Sequence, residues 1–233
     1  MGFLSIGVIV PVGAAEAAPP KIFFERVTGA ESPVLLVVAG DSEISSNVRE
    51  AFAQAGARIH LSGAARGQRM REAASSSSAE ISLFLFLHTD TLLPSGWDRA
   101  VRAAIAAGAA GGAFRLGFSG GGWRMSWVAG WANLRNRFTR MPYGDQAPFV
   151  RRDVYERLGG HRPWPLLEDW DLARRLRNEE GRARIALLSQ AVETSPRRYL
   201  EKGVTKTVLR NWEILRKVKR GARPDELARL YRS

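Results

Sequence analysis

Residues 83–87, Leu-Phe-Leu-Phe-Leu, form an unbroken apolar run that stops abruptly at His88-Thr89-Asp90. A short run without polar alternation suits a strand buried on both faces, as in parallel sheets covered by helices on either side. In open sheets of that kind, ligands bind just beyond the carboxyl ends of the strands. An aspartate there stands where a metal or a phosphate-bearing substrate lies, so Asp90 is read as a metal ligand. Its plainer use is as a helix-capping aspartate, because the turn Pro94-Ser95-Gly96 leads into an expected helix.

The segments before it fit the same sheet. Residues 4–11 read as a first buried strand closed by Pro11; a signal peptide is the lesser reading, since no Lys or Arg precedes the apolar core. Residues 13–33 give no clean period. Residues 34–38 are a second strand, followed by a helix with Val48, Phe52 and Ala55 at helical spacing. Residues 57–61 read as a third strand, 68–74 as a helix and 75–78 as a serine loop. Strands alternating with helices predict a parallel sheet covered on both sides.

The second half reads differently. Residues 111–116 are strand-like and Gly120–Gly122 form a flexible loop. Trp123, Trp127 and Trp131 recur every four residues, which is read as a core-packing helix face over a stacking platform. A turn at 141–146 runs into a short strand at 147–150. A helix at 154–158 closes on Gly159-Gly160. A further helix spans 172–177, and 184–188 is the last expected strand.

At 233 residues the chain can bury the core of one large domain. No apolar run reaches the roughly 20 residues that span a bilayer. The absence of cysteine excludes disulfides and thiolate chemistry, and three histidines make a zinc site a poor expectation. The net charge of +12 is concentrated at the end, where residues 196–233 hold 12 Lys/Arg against 4 Asp/Glu. An apolar stripe there (Val204, Val208, Trp212, Leu215) opposes a mostly basic face (Lys206, Arg210, Glu213, Lys217, Arg220). The stripe is expected to pack on the protein's own sheet, with peripheral contact to an anionic membrane as the other use. Aromatic and basic residues do not interleave as a stacking groove requires, so no nucleic-acid partner is expected.

An ordered set of motifs carries a family resemblance. It comprises Arg66-Gly67-Gln68-Arg69-Met70, residues 86–91 around His88 and Asp90, and Gly111-Gly112-Ala113-Phe114-Arg115. It continues with Pro142-Tyr143-Gly144-Asp145-Gln146, Phe149-Val150-Arg151-Arg152, Leu158-Gly159-Gly160, Glu168-Asp169, Thr194-Ser195 with Arg197-Arg198, and Leu209-Arg210-Asn211-Trp212. This set, from residue 57 to about 231, resembles glycosyltransferases of family 2. It is most similar to a bacterial subgroup described as radical-SAM/selenodomain-associated or arsenosugar-type glycosyltransferases.

The resemblance implies a GT-A-like α/β fold: a mostly parallel sheet flanked by helices, Rossmann-like in its N-terminal half. It implies one catalytic domain over 1–195, with a nucleotide-binding half at 1–94 and an acceptor half at 95–195, and a basic helical extension at 196–233 packed on it. The implied activity is metal-dependent transfer of a sugar from a nucleotide-sugar to a hydroxyl acceptor, with inversion, in a cytoplasmic protein; membrane association stays the other use of the basic helix, as read from its two faces. Asp90 ends an Asp-x-Asp-like motif and would meet Mn²⁺ or Mg²⁺, ions that favour oxygen ligands. His88, first in that motif, would contact metal or phosphate or close the strand. Asp169 would be the general base with Glu168 as neighbouring support; the plainer role for both is to favour a helix N-terminus. Arg66 and Arg69 would steady the diphosphate, Gly67 would let backbone approach it, and Arg198 would close over it. Tyr143, Asp145 and Gln146 would line the acceptor side.

The first third departs from the family. Pro11 is followed by Val-Gly-Ala-Ala-Glu16 where members have Pro-Thr-Leu-Asn-Glu. Ala39 stands where a nucleoside-holding aspartate is usual, with Asp41 two places later. The nucleobase side is therefore altered, and a catalytically degenerate GT-A-like binding or scaffold module is the alternative.

Overall fold

The computed structural model describes residues 4–224 and 226–228. Its centre is a single eight-stranded sheet in the order β3-β2-β1-β4-β7-β6-β8-β5. The first four strands are parallel: β1 (Ser5–Val12), β2 (Val34–Asp41), β3 (Arg58–Ser62) and β4 (Ile81–Phe86). β7 (Phe149–Arg151) runs antiparallel to both β4 and β6 (Gly111–Phe118). β6 pairs in parallel with β8 (Ile185–Thr194), and the two-residue β5 (Thr91–Leu92) pairs antiparallel with the end of β8.

Helices cover both faces because the apolar strands have no polar side. On one face Ile6, Val8 and Val10 meet Phe23 and Val27 of α1 (Lys21–Thr28), Val48 and Phe52 of α2 (Ser46–Gln54), and Trp97 and Val101 of α4 (Trp97–Ala106). On the other, Ile9, Val37, Phe84 and Phe86 meet Met70 and Ala73 of α3 (Arg66–Ser75), Val154 and Tyr155 of α6 (Arg152–Arg157), and Leu172 and Leu176 of α7 (Glu168–Glu180). Burying one such side chain contributes about 1.5–3 kcal/mol, so these two layers fix the sheet.

Several elements differ from the sequence expectation. α1 forms where no period was visible, β8 continues to Thr194, and β5 is too short to leave a pattern. α5 (Gly122–Thr139) is a helix as expected, but its tryptophan face is not core: Trp123, Trp127 and Trp131 are 74, 71 and 57 % exposed. What holds α5 is its other side. Asn133 receives the Leu116 backbone N–H at 2.8 Å and donates to the Leu116 carbonyl at 3.0 Å, closing a free stretch of β6. Met125 and Ala129 are buried beneath it. After β8 come α8 (Arg197–Lys202) and α9 (Val204–Lys219). Residues 229–233, the end of the expected basic extension, lie outside the described residues. No described helix is long and apolar enough to cross a membrane.

Candidate active site

The greasy strand β4 delivers His88 and Asp90 to the carboxyl edge of the sheet, as its sequence predicts. Two bonds clamp that turn: Ser195 donates its backbone N–H to the Asp90 carbonyl at 3.0 Å, and the Thr91 and Thr194 hydroxyls meet at 2.5 Å. The end of β8 therefore holds the loop after β4 and leads the C-terminal helices over it.

Around this edge lies a cavity of about 190 Å³. Arg66, His88, Asp90, Tyr143, Asp145, Glu168, Asp169 and Arg198 line it, so eight of the twelve expected site residues converge from five separate segments. Thr207, Asn211, Ile214 and Leu215 of α9 form its outer wall.

Arg66, at the first turn of α3, is the hub. Its Nε stands 3.0 Å from Glu168 Oε1, and its terminal nitrogen lies 2.5 Å from His88 Nε2 and 3.9 Å from Asp169 Oδ2. Arginine only donates, so His88 Nε2 accepts here and its proton is assigned to Nδ1. Burial opposes the Arg66 charge, but Glu168, Asp169, Glu16 and Asp90 outweigh it and push the guanidinium pKa up.

The two carboxylates at the start of α7 have opposite environments. Glu168 is 2 % exposed, and burial pushes its pKa up against the pull of Arg66. Asp169 is opposed by burial too, but the His161 hydrogen bond and the Arg66 charge beside it hold its carboxyl well below the usual range. Leu167, just before them, sits at φ +63°, a conformation that disfavours a branched side chain by roughly 1–2 kcal/mol.

Sequence reasoning missed the group that orients Asp169. His161 is fully buried; its Nε2 lies 3.3 Å from Asp169 Oδ1 and its Nδ1 lies 3.0 Å from the Tyr155 hydroxyl. The consistent arrangement has Tyr155 O–H donating to Nδ1 and Nε2–H donating to Asp169. Gly144 was also missed: a Cβ there would collide with Asp169 Oδ2 and stand 2.8 Å from His88 Nε2. The only sequence hint was position: Gly144 lies inside the motif Pro142-Tyr143-Gly144-Asp145-Gln146, and His161 directly follows Leu158-Gly159-Gly160.

The other four expected residues lie outside this cavity. Asp41 and Arg69 form an ion pair with each other, and Asp41 also accepts the Glu43 N–H at 3.1 Å. That backbone bond, with Arg69 and against partial burial, keeps the Asp41 pKa low. Gly67 has a packing reason instead of a ligand: a Cβ there would strike the Arg162 carbonyl, and its N–H bonds the Trp164 carbonyl at 3.0 Å. Gln146 is buried, donating to the Phe114 carbonyl at 3.1 Å and accepting from Tyr143 N at 3.2 Å and from Asn136. Both ends of its amide are engaged inside the protein. Glu16 accepts the Thr89 hydroxyl at 2.6 Å, so the displaced glutamate still reaches this edge.

The donor set fits a divalent cation shared with a ligand. Burial pushes the Asp145 pKa up, and the charges of Asp90 and Asp169 add to it while Arg135 opposes. A cation near Asp90 relieves that crowding. Among the described residues no group of three or more His, Cys, Asp or Glu could hold a metal alone. Such an ion would therefore take most of its oxygens from the substrate's phosphates.

The fold is similar to solved glycosyltransferase structures. Glucosyl-3-phosphoglycerate synthase from Mycobacterium tuberculosis, in complex with Mn²⁺, uridine diphosphate and phosphoglyceric acid, matches with a TM-score of 0.57 at 11% identity, over 80% of this chain and 69% of that one. Its complex with Mn²⁺, UDP-glucose and phosphoglyceric acid gives 0.56 at 12%, over 80% and 70%. A further mycobacterial protein gives 0.56 at 14%, over 82% and 67%. No family model matches the chain, and no curated protein does. At these identities the likeness establishes the architecture: the chain has a GT-A-like fold.

Proposed function

We propose that the protein is a metal-dependent glycosyltransferase that moves a sugar from a nucleoside-diphosphate donor to a hydroxyl acceptor. The observation that carries this reading is the convergence of Arg66, Asp90, Asp145 and Asp169 on one cavity at the carboxyl edge of a GT-A-like sheet. Resemblance to the arsenosugar-type subgroup of family 2 supports it through the motifs that supply those residues. The neighbours bound to UDP and Mn²⁺ make UDP-sugars the first donors to try.

In this reading Arg66 and Arg198 present their planar donors to the diphosphate. Asp90 would hold Mn²⁺ or Mg²⁺, which when bound neutralises charge on the departing phosphate oxygens. The acceptor oxygen attacks the anomeric carbon as the bond from that carbon to the diphosphate oxygen breaks. The diphosphate keeps the electron pair, the acceptor proton passes to Asp169 Oδ2, and the anomeric configuration inverts. The low Asp169 pKa keeps this base ionised throughout the neutral range. Glu168, more deeply buried, anchors Arg66. Tyr143 and Asp145 bound the acceptor side, and α9 excludes water.

A second reading, a degenerate binding module, is favoured by one observation: Asp41 and Arg69 are tied to each other and Ala39 offers no polar group to a nucleoside. Thermal melting with UDP, other nucleoside diphosphates and nucleotide-sugars, each with and without Mn²⁺, separates the two. The transferase reading expects a metal-dependent rise that Asp90→Ala removes. It also expects Asp169→Asn to keep that rise but lose transfer. No rise with any nucleotide would leave the module reading.

A further inference from the structure

The cavity leaves the exposed apolar side chains of α5 without a role. Beyond Trp123, Trp127 and Trp131, α5 exposes Leu134 at 46 % and Phe138 at 64 %. Five exposed large apolar side chains on one helix exceed what a solvated surface ordinarily carries. α8 and α9 extend the patch with Leu200, Leu209 and Trp212 at 59, 65 and 68 %. Trp131 and Trp212 stand in the walls of a groove of about 440 Å³ between α5 and α9. Charge accompanies the hydrocarbon. α5 has no acidic residue, and α5 and α9 together carry 8 Lys/Arg against one glutamate, Glu213, which is paired with Lys217 at 2.8 Å. Arg124 lies over the Trp123 ring, 5.6 Å from its centre.

We propose that the α5–α9 face docks on an anionic lipid bilayer. Indole rings settle at headgroup level, where one part of the ring is apolar and the N–H is wet. Lys and Arg around them add electrostatic attraction to anionic lipid. A second copy of the chain fits poorly, because it would bring the same basic charge to the same patch. The groove also has direction: Tyr143 and Asp145 line both it and the candidate active site. A hydroxyl borne at the bilayer surface thereby enters the acceptor side without its lipid leaving the membrane. Docking is independent of the transferase reading; only this delivery of an acceptor rests on it.

The test is cosedimentation of the full chain with phosphatidylcholine vesicles, with and without phosphatidylglycerol. The wild type is expected to sediment with the anionic vesicles, to shift its indole emission to the blue, and to release as salt rises. Trp123→Ser with Trp127→Ser is expected to lower partition at least about tenfold at an unchanged melting temperature. Lys206→Glu with Arg216→Glu is expected to weaken binding to the anionic vesicles. Equal partition of the tryptophan variant, or no sedimentation of the wild type, overturns the proposal. So does a dimer that the tryptophan variant breaks while vesicles bind neither protein. Nucleotide-dependent melting on the same samples keeps the readings apart. A nucleotide shift without vesicle binding sinks docking alone, and vesicle binding without a shift sinks the transferase alone.

Discussion

His161→Phe tests the assignment of His161 as the residue that positions Asp169. Phenylalanine keeps the ring and its edge-to-face packing on Phe86, 4.5 Å between centres, but removes both polar contacts. The contact to the ionised carboxylate is long at 3.3 Å, which places it near the low end of the range for charged groups, about 1.5–2 kcal/mol. The neutral bond to Tyr155 at 3.0 Å adds about 1 kcal/mol. The sum of about 2.5–3 kcal/mol corresponds to a fall in melting temperature of roughly 5–12 °C for a chain of this length. The pH dependence has a definite sign. The folded-state pKa of Asp169 is depressed, so its contribution is complete above the unfolded value near 3.9 and is lost as pH falls through the folded value. The gap in melting temperature between wild type and variant should therefore hold at pH 7 and narrow below about pH 4. In transfer assays the acid limb of kcat/KM should move to higher pH, because Asp169 has lost a group that favours its charge. His161→Gln, which retains a donor, should recover part of both effects. An unchanged melting temperature, or an acid limb that stays in place, would refute the relay.

Two further substitutions probe the packing of the site. Gly144→Ala forces a methyl against Asp169 Oδ2 and His88 Nε2; we expect a loss of about 1–3 kcal/mol by thermal melting and at least about a hundredfold in kcat/KM. Near-wild-type turnover would show that the two side chains are not confined there. Gln146→Ala leaves the Phe114 carbonyl, Tyr143 N–H and Asn136 amide without their partner, so we expect destabilisation of about 2–4 kcal/mol in denaturant unfolding. A change confined to acceptor KM would instead mean that Gln146 faces the ligand.

The parallel half of the sheet was legible because β1, β2 and β4 are buried on both faces and have nothing to alternate with. β4 also announced its own end, where the apolar run breaks at His88. β5 and β7 were harder, since two or three residues carry no period. α1 was hidden by a short amphipathic pattern set between prolines and glycines. The tryptophans of α5 show a limit of a different kind. A four-residue spacing fixes which side chains share a face, but not whether that face meets the sheet or the solvent. The face that meets the sheet is built from Met125, Ala129 and the Asn133 amide on Leu116, which do not stand out against three tryptophans.

Within the site, the sequence located carboxylates but not their ionisation. Glu168 and Asp169 are adjacent and chemically alike, and a helix N-terminus favours the charge of either. Their divergence arises from contacts made by distant segments. Arg66 of α3 anchors the more buried Glu168, while His161, held by Tyr155 of α6, meets Asp169. His161 looked ordinary in the chain because its partners lie on both sides of it, six residues before and eight residues after. The assignment of Asp169 rather than Glu168 as the base thus depends on a relay that only packing creates: Oδ1 is fixed from inside the protein, which leaves Oδ2 turned toward His88 and the cavity where an acceptor proton would arrive.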